Sequence, residues 1–169
     1  MRIALLHDDS AGGRPARELA DALLDAGHDP HVLSPRPAGP AEGLLRRRGF
    51  AGSLTPVPSA AVTLLRGGFE VAHAFSTSGA LTALTWRRLR GGPAVFTCAE
   101  PLDRARLADR RLTLWMLRRA VEDTDAVTAA SEESRAALAR WLALDVPVIE
   151  PHDAGGYERL YRERLARRA

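Results

Sequence analysis

The sequence predicts an α/β fold: a Rossmann-like, doubly wound and mostly parallel sheet of about seven strands. Three observations carry that expectation. Short apolar runs alternate with segments of helical periodicity along nearly the whole chain. Several runs are apolar at consecutive positions, as strands covered on both faces must be. The first two runs and the helix between them form a unit of about 30 residues, the length of a βαβ crossover.

The elements follow in order. Residues 3–6 form the first strand. Pro15 suits a first helical turn, Ala16, Leu19, Ala20, Leu23 and Leu24 recur at helical spacing, and Gly27 supplies the stop. HVLS (31–34) is the second strand. SPRPAGPAEG (34–43) is rich in Pro and Gly and reads as a loop. LLRRRGF (44–50) is basic and partly apolar, with no clear type. SLTPV (53–57) reads as a short strand that Pro56 confines to an edge. Ser59 is placed to cap a short helix ending near Gly67. VAHAF (71–75) is a strand, and Ser78 to Arg90 is a helix stopped by Gly91 and Gly92. AVFTC (94–98) is a strand, about Arg104 to Glu122 a helix, and DAVTAA (125–130) a strand. Ser131 caps a helix whose first turn holds Glu132 and Glu133, where the helix dipole favours negative charge. VPVIE (146–150) completes the strands. Tyr157, Leu160, Tyr161 and Leu165 make an apolar stripe on an otherwise charged terminal helix. The expected organisation is one domain over residues 1–150, with residues 151–169 forming a helix that packs back on it.

Composition excludes several classes. A chain of 169 residues with 46% hydrophobic content can bury a core and is not disordered. No apolar run reaches the ~18 residues of a membrane-spanning helix. Four apolar residues between Arg2 and His7-Asp8-Asp9 are too short and too acidic a context for a signal peptide. The single cysteine, Cys98, allows no internal disulfide and suits the cytoplasm. All 24 basic residues are arginines, as codon bias in a GC-rich genome would produce. The pI of 9.9 reflects arginines that do not titrate, so nucleic-acid binding is not inferred from it. With no CxxC, HExxH or GxSxG, no metal, cofactor or serine-nucleophile chemistry is expected.

Ligands of doubly wound sheets bind outside the carboxyl ends of strands. The loops to read are therefore 8–14, 76–78, 99–103, 131–133 and 151–156. Gly12 and Gly13 lie between the first strand and its helix, where backbone N–H groups can approach a phosphate or sugar. The pattern is neither GxGxxG nor a Walker loop.

RIALLHDDSAGG, the helix ending in Gly27-His28, FEVAHAFS (69–76) and DAVTAASEESRAAL (125–138) follow one another in a familiar order. In them the chain resembles the N-terminal domain of family 4 glycosyltransferases, retaining enzymes of GT-B architecture, over roughly residues 1–150. The resemblance implies an acceptor-holding domain that faces a second, donor-binding domain across a cleft. It also implies which residues meet the acceptor. These are Gly12 and Gly13, then His73, and finally Ser131 and Glu132, which match the family's "SE" at a helix start; Arg14 and Ser76 beside them, and Glu100 as a stand-in polar group next to Ala99, complete the candidate acceptor-binding set. His73 matches the first histidine of an "HaH" stretch whose second position is Phe75 here. Thr97-Cys98-Ala99 aligns with "T-x-H", so Ala99 replaces the histidine that normally faces the transferred sugar. No catalytic residue is assigned.

Plain structural readings stand beside these. Gly12-Gly13 can be a tight turn, His73 a buried histidine satisfied by a carbonyl, and Ser131 and Glu132 simple helix-start residues. Glu150 and Glu158 share the eight-residue spacing of the family's paired glutamates, but the intervening PHDAGGY does not resemble the family, and the spacing is read as coincidence. GYERLYRERLARR looks like the last helix of a whole GT-B enzyme, which crosses back onto the first domain; the expectation is a donor domain lost by internal deletion. Arg46, Arg47 and Arg48, with Arg87, Arg88 and Arg90 and the interleaved Phe50 and Trp86, form either a peripheral membrane surface that meets anionic lipid or a phosphorylated acceptor, or a solvated face.

The functional expectation is the acceptor half of a glycosyltransferase of hexosyltransferase type. It would bind a sugar or phosphorylated acceptor, transfer nothing alone, and depend on a donor-domain partner chain. The alternative is a non-catalytic binding or scaffolding module, a homodimer that hides the surface a donor domain would cover.

Overall fold

The computed structural model describes residues 1–7, 13–33, 57–102 and 111–168. Five strands, all parallel, form the sheet: β1 (Arg2–Leu6), β2 (Asp29–Leu33), β3 (Val71–Ala74), β4 (Ala94–Cys98) and β5 (Ala126–Ala129), in the order β2-β1-β3-β4-β5. The inner strands β3 and β4 are buried at every position, which is why VAHA and AVFTC show no alternation. β2 lies at an edge and is half exposed, and Pro30 is tolerated there.

Among the described residues, six helices connect and cover the sheet: α1 (Gly13–Asp25), α2 (Val57–Arg66), α3 (Thr77–Arg90), α4 (Arg111–Asp123), α5 (Glu132–Leu142) and α6 (Ala154–Ala166). One face packs Ala4, Leu6, Ala72, Ala74, Ala94 and Phe96 against helical residues that include Leu64, Ala83, Trp86, Leu117 and Leu138, so α2 to α5 lie on it. The other packs Ile3, Leu5, Val71, Phe75 and Val95 against Leu19 and Leu23 of α1 and Tyr157 and Tyr161 of α6. The strand residues under α3 are mostly alanines, so the helix approaches closely. A Cβ on Gly79, in its first turn, would lie 3.1 Å from both the Cβ and the carbonyl oxygen of Leu6. Gly91, at φ 79°, ends α3 in the left-handed conformation and returns its N–H to the Arg87 carbonyl.

The sheet has five strands among the described residues, fewer than the seven expected. The 53–57 stretch lies outside the described residues apart from Val57, which already begins α2; Ser59 is thus inside that helix and not its cap. In 146–150, only Val148 pairs with Ala129, held by the Ala129 N–H to Pro147 carbonyl and Ile149 N–H to Ala129 carbonyl bonds, each 3.0 Å. Pro147 has no N–H with which to extend the ladder. The helix expected from Arg104 is described from Arg111 onward.

Candidate functional site

From β1 the chain passes to β2 on one side and then to β3 on the other, so the winding reverses between β1 and β3. Splayed loops at such a reversal leave a crevice outside the carboxyl ends of the two strands. The Phe75 N–H donates to the Leu6 carbonyl at 2.8 Å and the His7 N–H to Leu33 at 3.2 Å, which fixes both residues at that edge. His7 is nearly buried. Gly13 opens α1 directly against it: a Cβ there would lie 3.0 Å from His7 Nδ1. Ser76 caps α3 by accepting the Gly79 N–H at 3.1 Å. The amino ends of α1 and α3 thus both lie at the carboxyl edge of β1, Gly13 against His7 and Gly79 against Leu6, where a helix start favours an anion or a hydroxyl.

The other candidates lie along the same edge or just outside it. Gly12 lies outside the described residues. Arg14 is exposed and pairs with Glu18 at 2.8 Å. Glu100 is exposed beyond β4, and its carbonyl accepts the Cys98 thiol at 3.1 Å. Burial pushes that thiol up to about 11. Ser131 caps α5 through the Ser134 N–H at 3.2 Å, and Glu132 pairs with Arg135 at 2.9 Å. Ala99 packs among the apolar residues of the α6 face. Of the paired glutamates, Glu150 meets His152 at 3.0 Å, while Glu158 meets Arg162 and also His28 at 3.5 Å.

His73 is elsewhere. It is fully buried in β3, on the sheet face that α6 covers. Its Nδ1 is 2.6 Å from the Tyr161 hydroxyl and its Nε2 is 2.6 Å from Thr97 Oγ1. Thr97 Oγ1 is also 2.6 Å from Thr128 Oγ1 and 3.3 Å from the Tyr157 hydroxyl, which donates to the Ile149 carbonyl at 2.9 Å. A polar chain therefore runs across β3, β4 and β5 under two tyrosines. Desolvation lowers the His73 pKa to about 3 and raises Tyr161 well above its ordinary value. The imidazole is neutral, so one nitrogen donates and the other accepts. Its partners are hydroxyls rather than the carbonyl expected for a buried histidine.

Sequence reasoning missed Thr97, Thr128 and the two tyrosine hydroxyls as one unit. The available signal was a polar residue on the same sheet face of each of three apolar strands, opposite aromatic residues at i and i+4 on a helix.

The network anchors α6 in its middle, and polar contacts hold both ends. Asp153 caps it through the Gly156 N–H at 2.9 Å. Arg168 reaches the Gly91 and Gly92 carbonyls and meets Asp125 at 3.0 Å, on the opposite edge of the sheet. Asp125 also meets Arg87 and accepts the Ala94 N–H, each at 2.9 Å. α6 therefore crosses the sheet from its carboxyl edge to its amino edge. The expected basic–aromatic surface takes a different form here. Trp86 is 1% exposed, within the core, and therefore cannot interleave with surface arginines. Arg87 and Arg88 pair with Asp125 and Asp123, and Arg90 donates to the Leu65 carbonyl. Arg46, Arg47, Arg48 and Phe50 lie outside the described residues.

Residues 12–151 match the family model Glycosyltransferase Family 4. This chain belongs to that family. No curated protein matches it in sequence. Among solved structures, this family 4 domain is similar to a piece of sucrose-phosphate synthase from Thermosynechococcus elongatus, designated by residues 27–220 and 406–426. The TM-score is 0.68 at 18% identity, over 96% of this chain and 98% of that one. It is also similar to MurG from Acinetobacter baumannii, with a TM-score of 0.50 at 15% identity over 79% of this chain and 43% of that one. At such identities the likeness establishes the fold: a glycosyltransferase-like GT-B domain. No helix among the described residues is long and apolar enough to cross a membrane.

Proposed function

We propose that this family 4 domain is the acceptor-side lobe of a GT-B glycosyltransferase. It holds a sugar or phosphorylated acceptor in the crevice between β1 and β3 and transfers no hexosyl group by itself. The observation that carries the reading is that the amino ends of α1 and α3 both lie at the carboxyl edge of β1, within a domain whose family is known. Their N–H groups and the adjacent Arg14 suit phosphate or hydroxyl oxygens. Ala99, where the resemblance calls for a histidine, has no side-chain hydrogen bond to offer a transferring sugar. Transfer needs two substrates held in mutual orientation, which supplies much of the rate. One lobe can bind but hardly turn over, so the donor lobe must come from a partner chain or from sequence beyond these 169 residues. α6, crossing the sheet and pinned at both edges, corresponds to the closing helix of a two-lobed enzyme. The two-segment makeup of the sucrose-phosphate synthase piece supports that assignment.

The test is a panel of nucleotide sugars and candidate acceptors with the purified chain. Acceptor binding without transfer is expected, and transfer that restarts when a donor-lobe chain is added supports the reading. Robust transfer by the chain alone, or tight binding of a nucleoside diphosphate, overturns it.

A further inference from the structure

A groove of about 520 Å³ lies between the last turns of α4 and α5, lined by Arg118, Val121, Glu122, Arg140, Trp141 and the Leu142–Leu144 turn. It is remote from the crevice. α5 starts at the carboxyl edge of the sheet and runs 11 residues, about 16 Å, toward the amino edge, while α4 ends there just before β5. Ala143 takes the left-handed conformation at φ 52°, ψ 35°, at a cost of about 1 kcal/mol, and turns the chain along the groove wall.

The lining is chemically mixed. Trp141, Val121, Leu142 and Leu144 supply an apolar surface. Arg140 lies over the Trp141 ring at 5.0 Å. Among the described residues, neither Arg118 nor Arg140 has a carboxylate within ion-pair distance, unlike Arg119 on α4 and Arg135 on α5. Glu122 likewise has no cationic partner there.

We infer that this groove binds an anionic carbohydrate, a sugar carrying a phosphate or a carboxylate. Each part of such a ligand matches one part of the lining. The C–H face of a pyranose stacks on an indole, and a carboxylate such as Glu122 accepts from sugar hydroxyls. Two guanidiniums present forked donors matched to phosphate or carboxylate oxygens. The other classes of ligand each leave something unmatched. A wholly apolar segment would bury two guanidiniums without partners, which is costly. A neutral sugar would leave them uncompensated, and a bare phosphate would leave the indole wall wet. The volume is in the range of small-ligand sites. The inference is independent of what the crevice binds.

The chain has three tryptophans, so an amide-resolved spectrum of the full chain shows three indole N–H signals. Titration with glucose 6-phosphate and with glucuronate is expected to move the Trp141 signal saturably, and to leave that of buried Trp86 in place. Arg118→Gln and Arg140→Gln should each weaken binding at least tenfold. Both positions are exposed, and the Trp86 signal reports that the fold survives. Five results overturn the inference. They are a Trp141 signal unmoved by either ligand up to about 10 mM, equal response to neutral glucose, equal response to inorganic phosphate, binding unaffected by both substitutions, and response to anionic phospholipid vesicles but not to the sugars.

Discussion

Replacing Tyr161 with Phe removes one hydroxyl and almost no volume, so it isolates the polar seam under α6. His73 Nδ1 then loses its 2.6 Å partner while remaining fully buried. An unsatisfied buried polar group costs about 1–3 kcal/mol. For a domain of this size each kcal/mol lowers Tm by about 2–4 °C, so the loss should be roughly 2–12 °C. Urea denaturation and calorimetry of the wild type and Tyr161→Phe measure it. Arg14→Gln, at an exposed pair with Glu18, should change stability by less than about 0.5 kcal/mol and serves as the control. A Tyr161→Phe chain as stable as the control would refute the claim that His73 depends on α6.

Three other outcomes follow from the same geometry. In the folded chain His73 has a pKa of about 3, below its unfolded value near 6.5, so below pH 6.5 the unfolded state takes up a proton that the folded state refuses. Stability from this group is complete above pH 6.5 and falls, by at most about 1.4 kcal/mol per pH unit, as pH drops toward 3. The slope of stability against pH should be shallower in His73→Gln. Gly79→Ala should destabilise by about 1–3 kcal/mol in urea titrations, despite the better helix propensity of alanine, because the new methyl meets Leu6 at 3.1 Å. Cys98, with its thiol pushed up to about 11, should react with a disulfide reagent at neutral pH at least ~100-fold more slowly in the native chain than in denaturant.

Much of the architecture was legible because a parallel sheet writes itself as apolar runs. RIALL, VAHA, AVFTC and AVTA are buried strands, and Gly27 and Gly91 both sit at positive φ where helices end. Ser131 was readable as a cap because its hydroxyl acts on the N–H three residues on. α3 begins at Thr77, one residue before the expected Ser78, with Ser76 as its cap; Ser76 and Ser78 offer the same capping chemistry, so the sequence alone does not choose between them. VPVIE read as a strand on composition, yet a strand needs a partner edge and free N–H groups, and Pro147 withholds one. At the site, strand ends could be named but not their neighbours. Nothing local to His73 shows that residues 88 positions away at Tyr161 complete its hydrogen bonding. The close approach of Gly13 to His7 was equally hidden, because it depends on how the start of α1 packs against the end of β1. Trp86 looked like a surface aromatic beside arginines. It instead fills the core while Arg87 and Arg88 turn to Asp125 and Asp123.

The most direct measurement is a transfer assay on the purified 169-residue chain, with nucleotide sugars, sugar and phosphorylated acceptors, and thermal shifts recorded on the same samples. A lobe that recognises without reacting should gain stability with an acceptor, gain none with a nucleoside diphosphate, and release no product. Multiple turnovers by this chain alone would contradict that account.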